Sequence, residues 1–404
     1  MSDILNKNIS RIFFFKFTVA FMVIMPIMIP FFKTRGLNME QIYQLQSVFA
    51  VFMLIFEVPS GYISDIIGRK KTLILGSIFH FLGFMFFPLS TGFLTLVIAE
   101  IFLAFAVSLI SGTDISILYD SLDAVNSKKS RIKYTGRFFF YQQMGEAIAG
   151  LLGGWIALIS INTTAFAQLF VGIFPLFIAL SLTEPPRNKM NPKKHKDNLL
   201  FIYKKLFKHS KLLTLILLNG IVLNSATLIA VWSFQDYWQK INIDIYYFGY
   251  LWAFMNLFVA VVARYAHKIE KKISSVGAVV LMSILPFLAF LFMAQVNNWL
   301  GAFICLFFQL SRGLNSVILK DALNKRVPTE IRATANSIQG LGVRMVFIFL
   351  GPLMGYLIDL KGYDYAYNSF GGLYAILFVL VTIPFLFRYQ EFSMQAGVTE
   401  VKKP

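Results

Sequence analysis

Cysteine is nearly missing from this chain: Cys305 stands alone among 404 residues. A lone cysteine excludes an internal disulfide and any thiolate-cluster metal site. Histidine is almost as scarce, and His80, His195, His209 and His267 share no ligand spacing. Charge is thin too, at 14% of residues, where a soluble globule carries about 25%. Acids are the scarcer sign, 20 Asp and Glu against 37 Lys and Arg, for a formal net charge of +17. The phosphate-cradling pattern Gly-x4-Gly-Lys-Ser/Thr is missing, so no nucleotide-hydrolysing P-loop is expected. No nucleophile–base pair is visible either. No catalytic residue, metal or cofactor is expected.

What the chain has in abundance is apolar surface: hydrophobic residues make up 57%, with 44 Phe. Spans of roughly 20 apolar residues are long enough to cross a bilayer as helices. The pattern predicts twelve, at about 11–32, 43–63, 72–90, 93–119, 137–160, 163–182, 211–233, 246–266, 274–294, 299–319, 334–358 and 369–388. An even number leaves both termini on one side. Of the 37 Lys and Arg, 30 fall on one set of tails and loops, and the opposite loops hold only Lys33, Arg35, Lys240 and Lys361. This bias puts the basic loops and both termini in the cytoplasm. The basic charge then serves orientation and anionic lipid rather than nucleic acid. The first apolar run has no small-residue cleavage site after it and reads as an anchor.

The two halves repeat. An offset of 201 aligns Ile117-Leu-Tyr-Asp120-Ser-Leu122 with Ile318-Leu-Lys-Asp321-Ala-Leu323, and Gly112, Asp114, Arg131, Gly150 and Gly154 with Gly313, Asn315, Arg332, Gly351 and Gly355. Residues 1–186 and 211–404 are therefore expected to form two pseudo-symmetric six-helix bundles. A cytoplasmic linker, 187–210, joins them. Within it Leu199, Ile202, Tyr203 and Leu206 recur at helical spacing among lysines, the pattern of an amphipathic helix lying on the membrane surface.

Between spans 2 and 3 the chain reads Glu57-Val-Pro-Ser-Gly61-Tyr-Ile-Ser-Asp65-Ile-Ile-Gly68-Arg69-Lys70-Lys71. This stretch resembles the signature loop of the major facilitator superfamily, with Gly61, Asp65, Gly68, Arg69 and Lys70 matching in type and spacing. The resemblance extends over the whole chain in length, helix count and duplication. It implies an alternating-access transporter with its binding site between the halves near the midplane. It also implies a cytoplasmic latch: Asp65 at the dipole of span 11 near residues 332–337, and Arg69 against Asp120 at the end of span 4.

Ionisable groups inside spans cost about 2.5–3.5 kcal/mol each on insertion scales. Lys16, Glu100, Asp114, Glu146, Arg312 and Arg344 are such groups. Glu146 and Arg344 fall nearest the midplane, on equivalent spans 5 and 11 whose polar stripes are Gln142, Gln143 and Glu146, and Asn336, Gln339 and Arg344. Glu146 is the expected proton-titrating group and Arg344 its partner across the cavity; a structural ion pair is the alternative. Asp114 and Arg312, with Asn315 and Ser111, are expected to share a polar network at breaks in spans 4 and 10. Lys16, near a membrane edge, is expected to snorkel.

Gly145-Glu-Ala-Ile-Ala-Gly150-Leu-Leu-Gly153-Gly154 partly resembles the glycine-rich span 5 of proton-driven antiporters in that superfamily, without its proline. Glu100 stands where proton–drug antiporters often carry arginine. Together these readings point to proton-coupled export of a small amphipathic or anionic compound from a bacterial inner membrane, by a monomer. Uptake of an anionic nutrient or carboxylate-type siderophore remains open, as does a ligand sensor that moves nothing.

Overall fold

A few backbone reversals cut a nearly continuous helical chain into membrane-length rods. The computed structural model describes residues 2–125, 131–186, 211–327 and 332–388, so the expected surface helix in 187–210 lies outside the described residues. Among the described residues every regular element is helical. In chain order these are α1 (Ser2–Ala20), α2 (Met28–Thr34), α3 (Met39–Ile67), α4 (Arg69–Leu89), α5 (Phe93–Ile110), α6 (Thr113–Ala124), α7 (Arg131–Ala157), α8 (Ile161–Val171) and α9 (Phe174–Ser181). They continue as α10 (Lys211–Lys240), α11 (Phe248–Gln295), α12 (Leu300–Asn315), α13 (Ile318–Arg326), α14 (Arg332–Leu377) and α15 (Ile383–Phe387).

Local chemistry explains the breaks. Pro26 sits in the short turn between α1 and α2. Asn38 starts α3 with a reciprocal cap: its Oδ1 accepts from Gln41 N at 2.9 Å, and Gln41 Oε1 accepts from Asn38 N at 3.2 Å. Span 2, expected to end near residue 63, runs on as helix to Ile67, and Gly68 alone separates α3 from α4. Its φ of +103° is open to glycine and strained for other residues. Gly112, at φ +80°, likewise divides α5 from α6.

Nine segments among the described residues are long and apolar enough to cross a membrane. Two of them, Ile245–Gln295 and Thr334–Phe387, contain internal reversals at Ser274 and Gly362. Helix α7, 27 residues long, falls outside that set; Gln142, Gln143 and Glu146 dilute its apolar content.

The chain forms two compact units, Met1–Met190 with Ile243–Asn256, and Asn191–Asn242 with Leu257–Pro404. The first is centred on Ile12, Phe15, Leu73, Ile117 and Phe138, the second on Ile216, Met282, Leu314 and Leu323. Small residues let helices approach, as membrane packing requires. A Cβ at Gly83 would lie 2.6 Å from Leu103, and one at Gly145 2.6 Å from the Phe17 carbonyl oxygen. Within the first unit, α7 meets Ile243–Asn256 closely: a Cβ at Gly154 would sit 2.8 Å from the Gly249 Cα. Trp155 Nε1 donates to the Tyr250 hydroxyl at 2.8 Å beside that contact.

Candidate functional site

The second unit holds a cavity of about 410 Å³ at the place where its helices are interrupted. Asn224 of α10, Asn315 and Lys320 around the α12–α13 break, and Asn336, Gln339 and Arg344 of α14 supply its polar lining. The sequence builds this close approach with glycine. Gln339 lies directly over Gly220, where any Cβ would collide with its amide, and a Cβ at Gly342 would come within 2.5 Å of Ile221. Asn336 Nδ2 donates to Asn324 Oδ1 at 2.8 Å and to the Arg332 carbonyl at 2.7 Å, and Asn224 Nδ2 to the Gly220 carbonyl at 2.8 Å. Among the described residues, two cations and no acid line the cavity. Such a lining favours an anionic group, with the amides left to orient uncharged parts of a ligand.

Of the residues singled out in the sequence, Asn315, Gln339 and Arg344 are therefore brought together. Arg312 is exposed at the end of α12, outside this lining. Gln143, Glu146 and Asp114 belong to the first unit. There Glu146 Oε1 accepts from Gln142 Nε2 at 3.0 Å, one turn away on the same face of α7, and Gln143 is half-buried.

Lys16 does not snorkel. Its Nζ lies 2.8 Å from Asp114 Oδ2 and 4.9 Å from the centre of the Phe138 ring. The second Asp114 oxygen accepts from Ile115 N at 2.7 Å, capping α6 beside the Gly112 break. Burial explains the difference: a carboxylate this enclosed is stabilised as an ion only by a cation beside it, and α1 offers one within reach. Asn219 likewise binds within the second unit, accepting from Thr382 Oγ1 at 2.7 Å, whereas Asn256 donates to the Trp252 carbonyl of its own helix.

At the α3–α4 junction Arg69 Nη1 lies 3.2 Å from Asp65 Oδ1 and donates to Ser64 Oγ at 2.9 Å. Arg69 Nε is 3.5 Å from Asp120 Oδ2, an ion pair too long for a strong hydrogen bond. Gly61 is exposed, and a Cβ there would meet nothing within 4 Å among the described residues. The residue that sequence reasoning passed over is Glu184. Its two oxygens accept from Arg69 N at 2.9 Å and Lys70 N at 2.7 Å, so a carboxylate caps the N-terminus of α4. The available signal was an acid placed just before Pro185-Pro186 at a helix end on the basic side of the chain. Among the described residues no three His, Cys, Asp or Glu side chains group as metal ligands.

A sequence profile described as Major Facilitator Superfamily matches residues 12–343. The chain belongs to the major facilitator superfamily. A curated relative, the uncharacterized MFS-type transporter MJ1560 of Methanocaldococcus jannaschii, is 23% identical over 386 residues, covering 94% of this chain and 98% of its own. Solved structures agree in fold. The nucleoside transporter NupG superposes with a TM-score of 0.75 at 12% identity, over 94% of this chain and 98% of that one. A bacterial homolog of the human lysosomal transporter Spinster gives 0.72 at 14% identity, over 97% and 98%. A POT family transporter in complex with 5-aminolevulinic acid gives 0.73 at 12%, over 93% and 96%.

As a member of the major facilitator superfamily, the protein is an integral membrane transporter of a small molecule and not an enzyme. The superfamily profile covers both the α3–α4 junction and most of the cavity.

Proposed function

We propose that this transporter moves a small anionic or amphipathic organic compound by alternating access, coupled to protons and in the direction of export. Two six-helix bundles, 1–186 and 211–404, joined by 187–210, would carry the motion in a bacterial inner membrane with both termini cytoplasmic. The observation that carries the substrate class is the lining of the α10–α12–α14 cavity, where the cations Lys320 and Arg344 stand among the amide side chains of Asn224, Asn315, Asn336 and Gln339. A volume of about 410 Å³ is in the range of small-molecule sites. The POT family transporter solved with 5-aminolevulinic acid, a carboxylate, sits comfortably with that chemistry.

Glu146 is the group proposed to titrate, with Gln143 beside it on α7; Arg344 is proposed to hold the anion, with Asn315 and Gln339 beside it in the cavity lining, and Asp114 and Arg312 to belong to the polar surroundings of the α5–α6 and α12–α13 breaks. The latch proposed for the cytoplasmic side is Gly61, Asp65, Gly68, Arg69, Lys70 and Asp120. Export is favoured by the glycines of α7, whose close packing at Gly150 and Gly154 suits the antiporter-like pattern. Uptake would use the same cavity. The reading is tested by a flux screen of carboxylates and amphipathic compounds in proteoliposomes. Transport of at least one anion that Arg344→Ala removes supports it; a preference for organic cations contradicts it.

A further inference from the structure

Helix α5 carries a single ionisable side chain, Glu100, and it is sealed in protein rather than turned to lipid, with 4% of its surface exposed. It sits seven residues from the Phe93 end of the helix, roughly 10 Å along the axis at 1.5 Å per residue. Its Oε1 accepts from Gln46 Nε2 of α3 at 3.0 Å, and Gln46 is itself 7% exposed. Among the described residues no Lys, Arg or His nitrogen lies within 4.0 Å of this carboxylate. The contrast with Asp114, equally buried but joined to Lys16, is sharp.

The helices packed on α5 supply no substitute cation at this level. On α3 the nearest titratable side chain in sequence is Tyr43, a phenol one turn from Gln46, followed by Glu40. On α4, Gly83 rests against Ala99 and Leu103, and His80, one turn away, directs Nδ1 to the Gly172 carbonyl at 3.3 Å. On α6 the acids are Asp114, Asp120, and Asp123, the first two paired with Lys16 and Arg69. An isolated carboxylate ion in such a place is among the costliest groups a protein can hold, and neutralisation by a proton is the ordinary remedy.

We infer that Glu100 is a proton-binding site of this transporter, separate from Glu146, formed where α3 and α5 pack and steadied by Gln46. The ligand is H⁺, taken on one carboxyl oxygen as an O–H bond and released to water when the α3–α5 contact loosens. Gln46 fits this role because its amide both donates and accepts. It therefore serves the protonated and the ionised form. The site does not depend on which compound the α10–α12–α14 cavity takes.

Infrared difference spectroscopy on the full chain in lipid, stepping the pH, reads this directly through the carbonyl stretch of a protonated carboxylic acid. The expected result is a band in the native protein that is lost in Glu100→Gln, kept in Glu146→Gln, and shifted in Gln46→Leu. Deuterium exchange shifts the same band. If Glu100→Gln fails to fold, the shift in Gln46→Leu decides alone. A spectrum unchanged by Glu100→Gln, or by Gln46→Leu, overturns the assignment. Neither outcome touches the anion reading of the cavity, which the flux screen tests on its own.

Discussion

Lys16 Nζ lies 2.8 Å from Asp114 Oδ2, tying α1 to the first turn of α6 just past the Gly112 break. Breaking an enclosed pair by removing one partner strands the other charge, which costs about 3–5 kcal/mol. Lys16 keeps some exposure, so Asp114→Ala is expected near the low end of that range. The double variant Lys16→Met with Asp114→Leu should regain most of the loss. Thermal unfolding in detergent measures both. An unchanged midpoint for Asp114→Ala would show that the pair holds nothing.

The Glu184 cap on α4 gives a second prediction. Charge-assisted bonds to two backbone N–H groups make Glu184→Ala worth about 1–2 kcal/mol of stability. Gly68→Ala should cost a similar amount, through the strain of φ +103° and a Cβ placed 3.0 Å from Glu184 Oε1. Because the two residues touch, the double variant should lose less than the sum. Additive losses in the unfolding midpoint would argue that the contact carries no coupling.

Gly154 and Gly249 provide a third. A Cβ at Gly154 would lie 2.8 Å from the Gly249 Cα, backbone that cannot step aside. Overpacking of this kind costs about 1–3 kcal/mol, so Gly154→Leu should lower both stability and flux. Gly136→Ala, where a Cβ meets nothing within 4 Å among the described residues, should leave both intact. Equal behaviour of the two variants in a flux assay would contradict the close contact.

Much of this was legible in the sequence because bilayer physics leaves so few choices. Apolar runs of membrane length, the one-sided basic loops and the Gly61-to-Lys71 motif sufficed for the family and the helical fold. Details governed by side-chain reach were not legible. Periodicity shows that Lys16 and Asp114 are ionisable groups inside spans, but not that α1 and α6 meet. In the sequence the end of span 2 falls about four residues early, at 63 rather than Ile67, because the polar Ser64 and Asp65 read as loop while Gly68 alone makes the reversal. Glu184 was hidden by the same limit: its partners are backbone N–H groups, which leave no trace in residue type.

Cavity chemistry gives a fourth prediction. A charged hydrogen bond contributes about 1.5–3 kcal/mol, so Arg344→Gln should raise the apparent KM for an anionic substrate at least tenfold. Lys320→Gln, at an exposed position, should raise it only a few-fold. Gly220→Ala, by displacing Gln339, should also weaken transport without touching either cation. A neutral analogue that loses nothing in Arg344→Gln would complete the pattern. Equal loss for anion and neutral analogue would mean that Arg344 shapes the cavity rather than reading charge.

The most direct measurement of the proton-coupled account is substrate accumulation in inverted membrane vesicles under an imposed pH gradient, with native protein beside Glu146→Gln. The account predicts gradient-driven accumulation by the native protein. In Glu146→Gln that accumulation should vanish, while protein remains in the membrane and exchange down the substrate's own gradient persists. Undiminished gradient-driven accumulation by Glu146→Gln would contradict it.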